Sequence, residues 1–230
     1  MAASHATSLT SLAGKKVNVA FMTSGGLAPC LSASIGQLVH YWVAAHRAGE
    51  ISGLELRFYN AGYRGILIGD SFILPESDWD ACDDLNYLGG SPIGNSRVKL
   101  TNEKDCIQRG YCKEGETPTE VAARQLLKDQ VDVLHTIGGD DTNTQAAHLS
   151  QYILEKHGGK VVVVGMPKTI DNGQWIIDSI VFFTNFYNDT KLTRHFYFCF
   201  FLSFFQMSTP SNKRLVPRLL PSRELNFLPM

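Results

Sequence analysis

Two neighbouring carboxylates, Asp140 and Asp141, follow the double glycine Gly138-Gly139 at the end of an apolar stretch of the sequence. Such residues can hold Mg²⁺, which proteins usually bind through one or two carboxylates while phosphate oxygens complete the coordination. A carboxylate in the first turn of a helix also stabilises the helix dipole, so a purely structural role stays open. We favour the functional interpretation because two acidic residues and two glycines stand together.

A second reactive combination lies in residues 166–172, where Lys168, Thr169 and Asp171 are close in sequence. An aspartate can accept a hydroxyl proton there, and a lysine ammonium can neutralise charge on a transferring phosphoryl group. The alternative is a solvated loop with an ordinary salt bridge. The segment therefore indicates phosphoryl-transfer chemistry only in combination with the other loops.

Two glycine-rich segments could bind phosphate. Residues 23–26 (TSGG) separate a predicted strand from a predicted helix, where backbone N–H groups and the helix dipole favour an anion. Residues 88–97 end in Arg97, whose guanidinium suits bidentate binding of phosphate. A tight turn without a ligand and a solvated surface arginine are the alternatives. The sequence contains neither a Walker A loop nor a GxGxxG fingerprint, which disfavours P-loop and dinucleotide sites.

These loops need elements that position them, and the apolar pattern predicts alternating strands and helices. Strands are predicted at residues 17–22, 54–59, 131–137 and 160–164, and helices at residues 31–46, 118–129 and 143–156. Thr117, Pro118 and Glu120 form a capping-box start for the second helix. Residues 60–116 are predicted to be mostly loop with short elements. The fold class is therefore α/β, with a Rossmann-like parallel sheet and helices on both faces. In such sheets ligands bind at the carboxyl ends of the strands, where the motif-bearing loops lie.

The overall composition excludes several classes of protein. The chain has 230 residues, of which 44% are apolar and 19% charged, with a formal net charge of −1. These values disfavour a fibre, a fully disordered chain and a polybasic nucleic-acid binder. The 5 cysteines have no zinc-ribbon spacing and predict reduced thiols in a cytoplasmic protein. The most apolar run, residues 196–205, is well short of the roughly 20 residues that span a bilayer, so no membrane association is expected.

The composition changes sharply near residue 173. All 20 glycines lie in residues 1–173, and 10 of the 13 phenylalanines lie in residues 174–230. The sequence therefore predicts a flexible N-terminal tail over residues 1–14, an α/β domain over residues 15–172 and an atypical phenylalanine-rich tail over residues 173–230.

Four motifs, taken in order, resemble the phosphofructokinases, and most of all their pyrophosphate-dependent branch. They are TSGGLAP at residues 23–29, GGSPIGNSR at 89–97, GGDDTNT at 138–144 and MPKTIDN at 166–172. The resemblance implies an incomplete phosphofructokinase fold, because the family places the second half of its sugar-phosphate site in a further domain. Residues 173–230 match no family motif. A GGDG-type loop also occurs in NAD and diacylglycerol kinases, so an ATP-using relative of those enzymes is one alternative. Because half of the family's sugar-phosphate site is not found in this sequence, an inactive partner subunit is the other.

The resemblance implies transfer of phosphate from pyrophosphate to the 1-hydroxyl of fructose 6-phosphate, an early step of glycolysis, with Mg²⁺ as the cofactor. On the matching positions, Asp140 would hold the Mg²⁺. The residues that would bind the phosphate donor are Gly25, Gly26, Arg97, Gly139 and Thr142. The family is homo-oligomeric, and the resemblance leaves the oligomeric state of this chain open.

The same resemblance assigns the remaining roles. Asp171 would bind the sugar and act as general base for its hydroxyl, Thr169 would help bind the sugar phosphate, and Lys168 would stabilise the transition state. Asp141 stands where the ATP-using branch has glycine, so its carboxylate would repel the α-phosphate of a nucleotide and select pyrophosphate. Gly173 replaces the second acid of the family's TIDND loop.

Overall fold

Strand β1, Lys16–Ser24, lies at the centre of a five-stranded sheet in a computed structural model that describes residues 12–168 of the protein. The other strands are β2 (Gly53–Tyr59), β3 (Ser71–Leu74), β4 (Val133–Gly138) and β5 (Val162–Pro167). Their order across the sheet is β3-β2-β1-β4-β5. The pairs β1–β2, β1–β4 and β4–β5 are parallel, whereas β3 is antiparallel to β2.

Helices cover both faces of this sheet, as the sequence predicts. They are α1 (Cys30–Arg47), α2 (Tyr63–Ile68), α3 (Glu103–Gln108), α4 (Pro118–Lys128) and α5 (Asp140–His157), with 3₁₀ turns at Glu76–Asp78 and Asp80–Tyr87. Side chains alternate along β1, so that Val19 and Phe21 pack with α1 while Ala20 and Met22 pack with α2, α4 and α5. Two apolar clusters, one on each face, form the core.

Helix α4 begins as the capping residues predict. Its N-cap is Thr117, whose side-chain Oγ1 accepts a hydrogen bond of 3.2 Å from the backbone N–H of Glu120. Pro118 occupies the first turn, where a missing N–H costs no helical hydrogen bond. This cap sets the start of the helix that packs beside α5.

The region predicted as mostly loop contains the antiparallel strand β3, which the sequence pattern does not indicate. Asn60 donates from its backbone N–H to the Asp70 carbonyl (3.0 Å) and from its Nδ2 to the Asp70 carboxylate (2.8 Å). These bonds close the short connection between β2 and β3. This connection contains α2, which has only 6 residues, and β3 then runs back beside β2 in the antiparallel direction.

The predicted tails lie largely outside the described residues. Residues 1–11 and 169–230 are not described, and they include Thr169, Asp171 and the phenylalanine-rich segment. Within the predicted N-terminal tail, Leu12 is buried in the core and Gly14 donates to the Glu50 carbonyl (2.9 Å). Among residues 12–168, no helix combines the length and the apolar character that crossing a membrane requires.

Candidate functional site

Three of the four motif loops leave the same edge of the sheet at the same level. In the parallel register Ser24 lies opposite Gly138, and Gly138 lies opposite Pro167. Strands β1, β4 and β5 therefore end side by side, and the loops that follow them are neighbours. This is the carboxyl edge, at which ligands of open α/β sheets bind.

Lys168 joins the loops that follow β1 and β4. Its backbone N–H donates to the Gly138 carbonyl (2.6 Å), and its Nζ donates to the Gly26 carbonyl (2.8 Å). The ammonium is thereby held at the glycine loop after β1, with a neutral carbonyl oxygen as its partner. Lys168 can thus supply positive charge to a phosphate bound at this loop.

Gly25 lies against the start of α5. Its φ of +89° falls in the left-handed region that favours glycine, and its N–H donates to the Ser96 carbonyl (2.9 Å). A Cβ added there would lie 3.5 Å from the Thr142 Oγ1 and 3.9 Å from the Gly139 nitrogen. The structure therefore brings Gly25, Gly139 and Thr142 together around one small space.

The segment ending in Arg97 is fastened to the loop after β1. Ser24 Oγ donates to the Ser96 carbonyl (3.0 Å), and Asn95 Nδ2 lies 3.3 Å from the carbonyl oxygens of both Gly25 and Gly26. Arg97 follows directly and is exposed, and within residues 12–168 no ion pair engages its guanidinium. Its charge is available to a ligand at this edge.

Buried contacts fix the first turn of α5. Tyr63 donates from its hydroxyl to the Thr142 carbonyl (2.8 Å), and Asn143 Nδ2 donates to the carbonyls of Gly138 (2.9 Å) and Gly139 (2.8 Å). Gly139 is the N-cap and offers no side-chain cap. The N–H groups of the first turn have no partner within the helix, so the turn presents donors and a positive dipole end to an anion.

The two carboxylates at this turn have different surroundings. Asp140 is exposed, whereas the Asp141 Oδ2 lies 2.6 Å from the Nζ of Lys99. Residues 12–168 contain no group of three or more His, Cys, Asp or Glu side chains that could hold a metal ion by themselves. The exposed carboxylate of Asp140 could hold Mg²⁺ only together with other ligands such as phosphate oxygens, which commonly accompany one or two carboxylates around this ion.

The described cysteines are free thiols with raised pKa values. Burial raises the pKa of Cys30 at the start of α1, and the nearby Lys168 ammonium opposes that effect only in part. Burial, together with nearby negative groups, raises the pKa values of Cys82 and Cys106 to about 11. At neutral pH these thiols stay protonated, which suits neither a nucleophile nor a metal ligand.

The residues proposed from the sequence divide into three groups. Gly25, Gly26, Gly139, Thr142 and Lys168 lie together, and Arg97 follows the segment that is bonded to them. Asp140 and Asp141 open α5 at the same edge. Thr169 and Asp171 lie outside the described residues.

Three residues that sequence reasoning missed hold this arrangement together. Asn95 bridges two glycine carbonyls, Tyr63 bonds the first turn of α5, and Lys99 pairs with Asp141. Asn95 lies inside a glycine-rich motif, which is a usable signal. The other two make contacts between distant parts of the chain, for which the local sequence gives no signal.

Comparison with known families gives one match that spans most of the chain. The model of the family described as Phosphofructokinase matches residues 18–185. The match begins inside β1 and extends past the compositional change near residue 173.

Curated relatives match the same region. The pyrophosphate–fructose 6-phosphate 1-phosphotransferase of Methylotuvimicrobium alcaliphilum is 53% identical over 159 residues, which cover 69% of this chain and 37% of that protein. The protein of the same name from Mastigamoeba balamuthi is 50% identical over 155 residues, which cover 67% of this chain and 36% of that protein. The ATP-dependent 6-phosphofructokinase of Thermotoga petrophila is 32% identical over 165 residues, which cover 71% of this chain and 42% of that protein. The chain thus spans well under half the length of these relatives.

Solved structures agree on the fold. The pyrophosphate-dependent phosphofructokinase of Marinobacter aquaeolei aligns with a TM-score of 0.54 at 20% identity, covering 68% of this chain and 34% of that one. Phosphofructokinase of Pichia pastoris in the T-state aligns with a TM-score of 0.52 at 25% identity, covering 68% and 16%. Residues 12–168 thus form part of the α/β fold seen in these proteins.

Proposed function

The chain belongs to the phosphofructokinase family, and from this membership we propose that it binds pyrophosphate with Mg²⁺ and carries the donor half of a transfer to fructose 6-phosphate. The observation that carries the proposal is the meeting of Gly25, Lys168 and the first turn of α5 at one edge of the sheet. Backbone N–H groups, a lysine ammonium and a helix dipole all favour a phosphate there.

The choice of pyrophosphate rests on Asp141 and on the relatives. In the ATP-using branch of the family, a glycine stands at this position, and a carboxylate adds both bulk and negative charge where a nucleotide's α-phosphate would lie. The relatives that are 50–53% identical are named for pyrophosphate, whereas those named for ATP are 31–32% identical. Both observations support a small donor, and they disfavour an ATP-using NAD or diacylglycerol kinase relative.

The acceptor side of the reaction rests on the resemblance of residues 166–172. Asp171 takes the proton of the sugar 1-hydroxyl as that oxygen attacks the nearer phosphorus of pyrophosphate, and Thr169 helps hold the sugar phosphate. The bond from that phosphorus to the bridging oxygen breaks, and inorganic phosphate leaves with the bond's electron pair. Lys168 neutralises the negative charge that spreads over the phosphoryl oxygens, which is the main task of the protein in such transfers.

Mg²⁺ would be held by Asp140, and it would supply further neutralisation of the donor's charge. The protein's own part is positioning, because the bonds from Tyr63 and Asn143 fix the turn that carries Asp140. Reduced thiols and the glycolytic role of the family support a cytoplasmic location, and the family's homo-oligomers support self-association.

The test is a coupled aldolase assay on the purified chain with fructose 6-phosphate, Mg²⁺ and either pyrophosphate or ATP. Turnover with pyrophosphate alone is expected for the full reaction. Calorimetric binding of Mg²⁺–pyrophosphate without turnover would favour an inactive partner subunit that retains the donor site. Absence of both binding and turnover would contradict the proposal.

A further inference from the structure

Lys99 contacts Asp141, the residue that selects the donor in the proposed function. Lys99 itself lies in none of the four motifs. Its Nζ lies 2.6 Å from the Asp141 Oδ2, and both side chains are largely exposed, at 45% and 67% of their surfaces. An ion pair so open to water is easily broken. We therefore expect this ion pair to affect ligand binding at the site and to contribute little to the stability of the fold.

The chain on either side holds Lys99 at this place. Val98 and Leu100 are buried in the core on the α4–α5 face, whereas Arg97 and Lys99 are exposed. The backbone N–H of Leu100 donates to the side-chain amide oxygen of Gln145 on α5. The Lys99 backbone is thereby fixed against the helix whose first turn carries Asp141.

A bond within α5 completes the connection. The Gln145 Nε2 donates to the Asp141 carbonyl (3.0 Å), so one side chain links the backbone of Asp141 to the backbone next to Lys99. The backbones that carry the ammonium and the carboxylate are thus held together by buried or half-buried bonds, although the charged ends themselves are exposed.

Pairing with Lys99 changes what Asp141 can do. A lone carboxylate beside Asp140 would repel every phosphate donor, pyrophosphate included. With Lys99 attached, the pair has no net charge, but the carboxylate still adds bulk at the first turn of α5. Donor selection then depends on where the carboxylate is held, and the penalty on the small donor is removed.

We propose that Lys99 is a positioning residue that holds and neutralises Asp141, so that pyrophosphate is admitted while a nucleotide is still excluded. This inference rests on the proposed function. It differs from direct binding of the donor by Lys99, because it requires the effect of Lys99 to pass through Asp141.

A double-mutant cycle on the full chain separates these cases. The dissociation constant of Mg²⁺–pyrophosphate is measured by calorimetry for the parent, Lys99→Met, Asp141→Asn and the double variant, with exposed Lys104→Met as the matched control. We expect Lys99→Met to weaken binding by about tenfold when Asp141 is present and by less than about twofold in the Asp141→Asn background. Lys99→Arg should bind within about twofold of the parent, because it keeps the charge.

The outcomes are distinct. Equal losses in both backgrounds would overturn the inference in favour of direct contact between Lys99 and the donor. No loss in either background would overturn it as well. A parent chain that fails to bind pyrophosphate would instead refute the proposed function, and this inference with it. Circular dichroism and the thermal midpoint of each variant show that binding is compared between folded proteins.

Discussion

The Lys168 ammonium donates to the Gly26 carbonyl across 2.8 Å and so connects two loops that are 142 positions apart in the chain. Its side chain lies at the site where the proposed donor binds, with a neutral oxygen as its partner. A phosphate oxygen is a stronger acceptor for an ammonium than a carbonyl is. Lys168 is thus directed at the loop that is proposed to bind the donor.

Replacement of Lys168 by Met should weaken binding of Mg²⁺–pyrophosphate by roughly 10- to 100-fold, because a hydrogen bond to a charged group is worth about 1.5–3 kcal/mol. Calorimetry on the full chain measures the change. Exposed Lys160→Met removes the same charge from the loop before β5 and should leave the dissociation constant within about twofold. Equal losses in the two variants would mean that only net charge matters.

Gly25→Ala should abolish donor binding for a reason that stability alone does not explain. The new methyl group would project between the Thr142 Oγ1 and the Gly139 nitrogen, where the phosphate is proposed to lie. Gly115 is a matched control, since its φ of +84° is close to the +89° of Gly25 and nothing lies within 4 Å of its added Cβ. Both variants should lose about 1–2 kcal/mol of unfolding free energy, but only Gly25→Ala should lose pyrophosphate binding.

The sequence predicts the part of the fold that local pattern determines. Apolar runs indicate β1, β4 and β5, because a strand that is buried on both faces is apolar along its length. The Thr117 cap indicates α4, because capping residues stand directly at the start of a helix. The loops that follow those strands then meet at one edge by the geometry of a parallel sheet. The sequence alone therefore predicts that Gly25, Gly139 and Lys168 lie close together.

The remainder depends on contacts between distant residues. Strand β3 is short and partly exposed, and its direction follows from the bonds between Asn60 and Asp70. The Lys99–Asp141 pair joins a loop to the first turn of α5 through exposed charges, and the local sequence does not indicate which of the many surface lysines will pair with Asp141. Pairs between distant side chains do not recur at a fixed spacing in the sequence, so no sequence pattern predicts them.

Asp140→Asn should reduce the Mg²⁺ dependence of pyrophosphate binding. The amide keeps the size of the side chain but removes the charge that favours a divalent cation. Titration of Mg²⁺ at fixed pyrophosphate should show a midpoint shifted upward by about tenfold or more, which corresponds to about 1.4 kcal/mol. Exposed Asp84→Asn is the control and should leave the midpoint unchanged. An unchanged midpoint in Asp140→Asn would place the cation elsewhere.

Asp141→Gly should admit ATP. The substitution removes the carboxylate and leaves the Lys99 ammonium free to attract a third phosphate, so the dissociation constant of Mg²⁺–ATP should fall by about tenfold or more. Glycine in a helix costs about 1 kcal/mol, and exposed Thr144→Gly in the same helix matches that cost without touching the site. Binding of ATP no tighter than in the parent would refute the role of Asp141 in donor selection.

The burial of His135 should make the free energy of unfolding depend on pH. It is fully buried in β4, stacks on Phe21 with ring centroids 5.4 Å apart, and accepts a hydrogen bond at Nε2 from the Trp42 Nε1–H (3.0 Å). Burial lowers its pKa from 6.5 to about 3. Between these two values the unfolded chain binds a proton that the folded chain does not, so the stability that His135 contributes is complete above about pH 6.5 and falls as the pH drops.

We therefore expect the free energy of unfolding to fall by up to about 1.4 kcal/mol for each pH unit below about 6. Urea titrations between pH 7 and pH 5 measure this slope. Burial raises the pKa of Asp132, so protonation of that carboxylate acts in the opposite direction. His135→Gln keeps an acceptor for the Trp42 N–H but cannot be protonated, so its slope should be flatter by most of that amount. Exposed His148→Gln should retain the parent slope. If His135→Gln kept the full slope, the acid sensitivity would have to come from other groups.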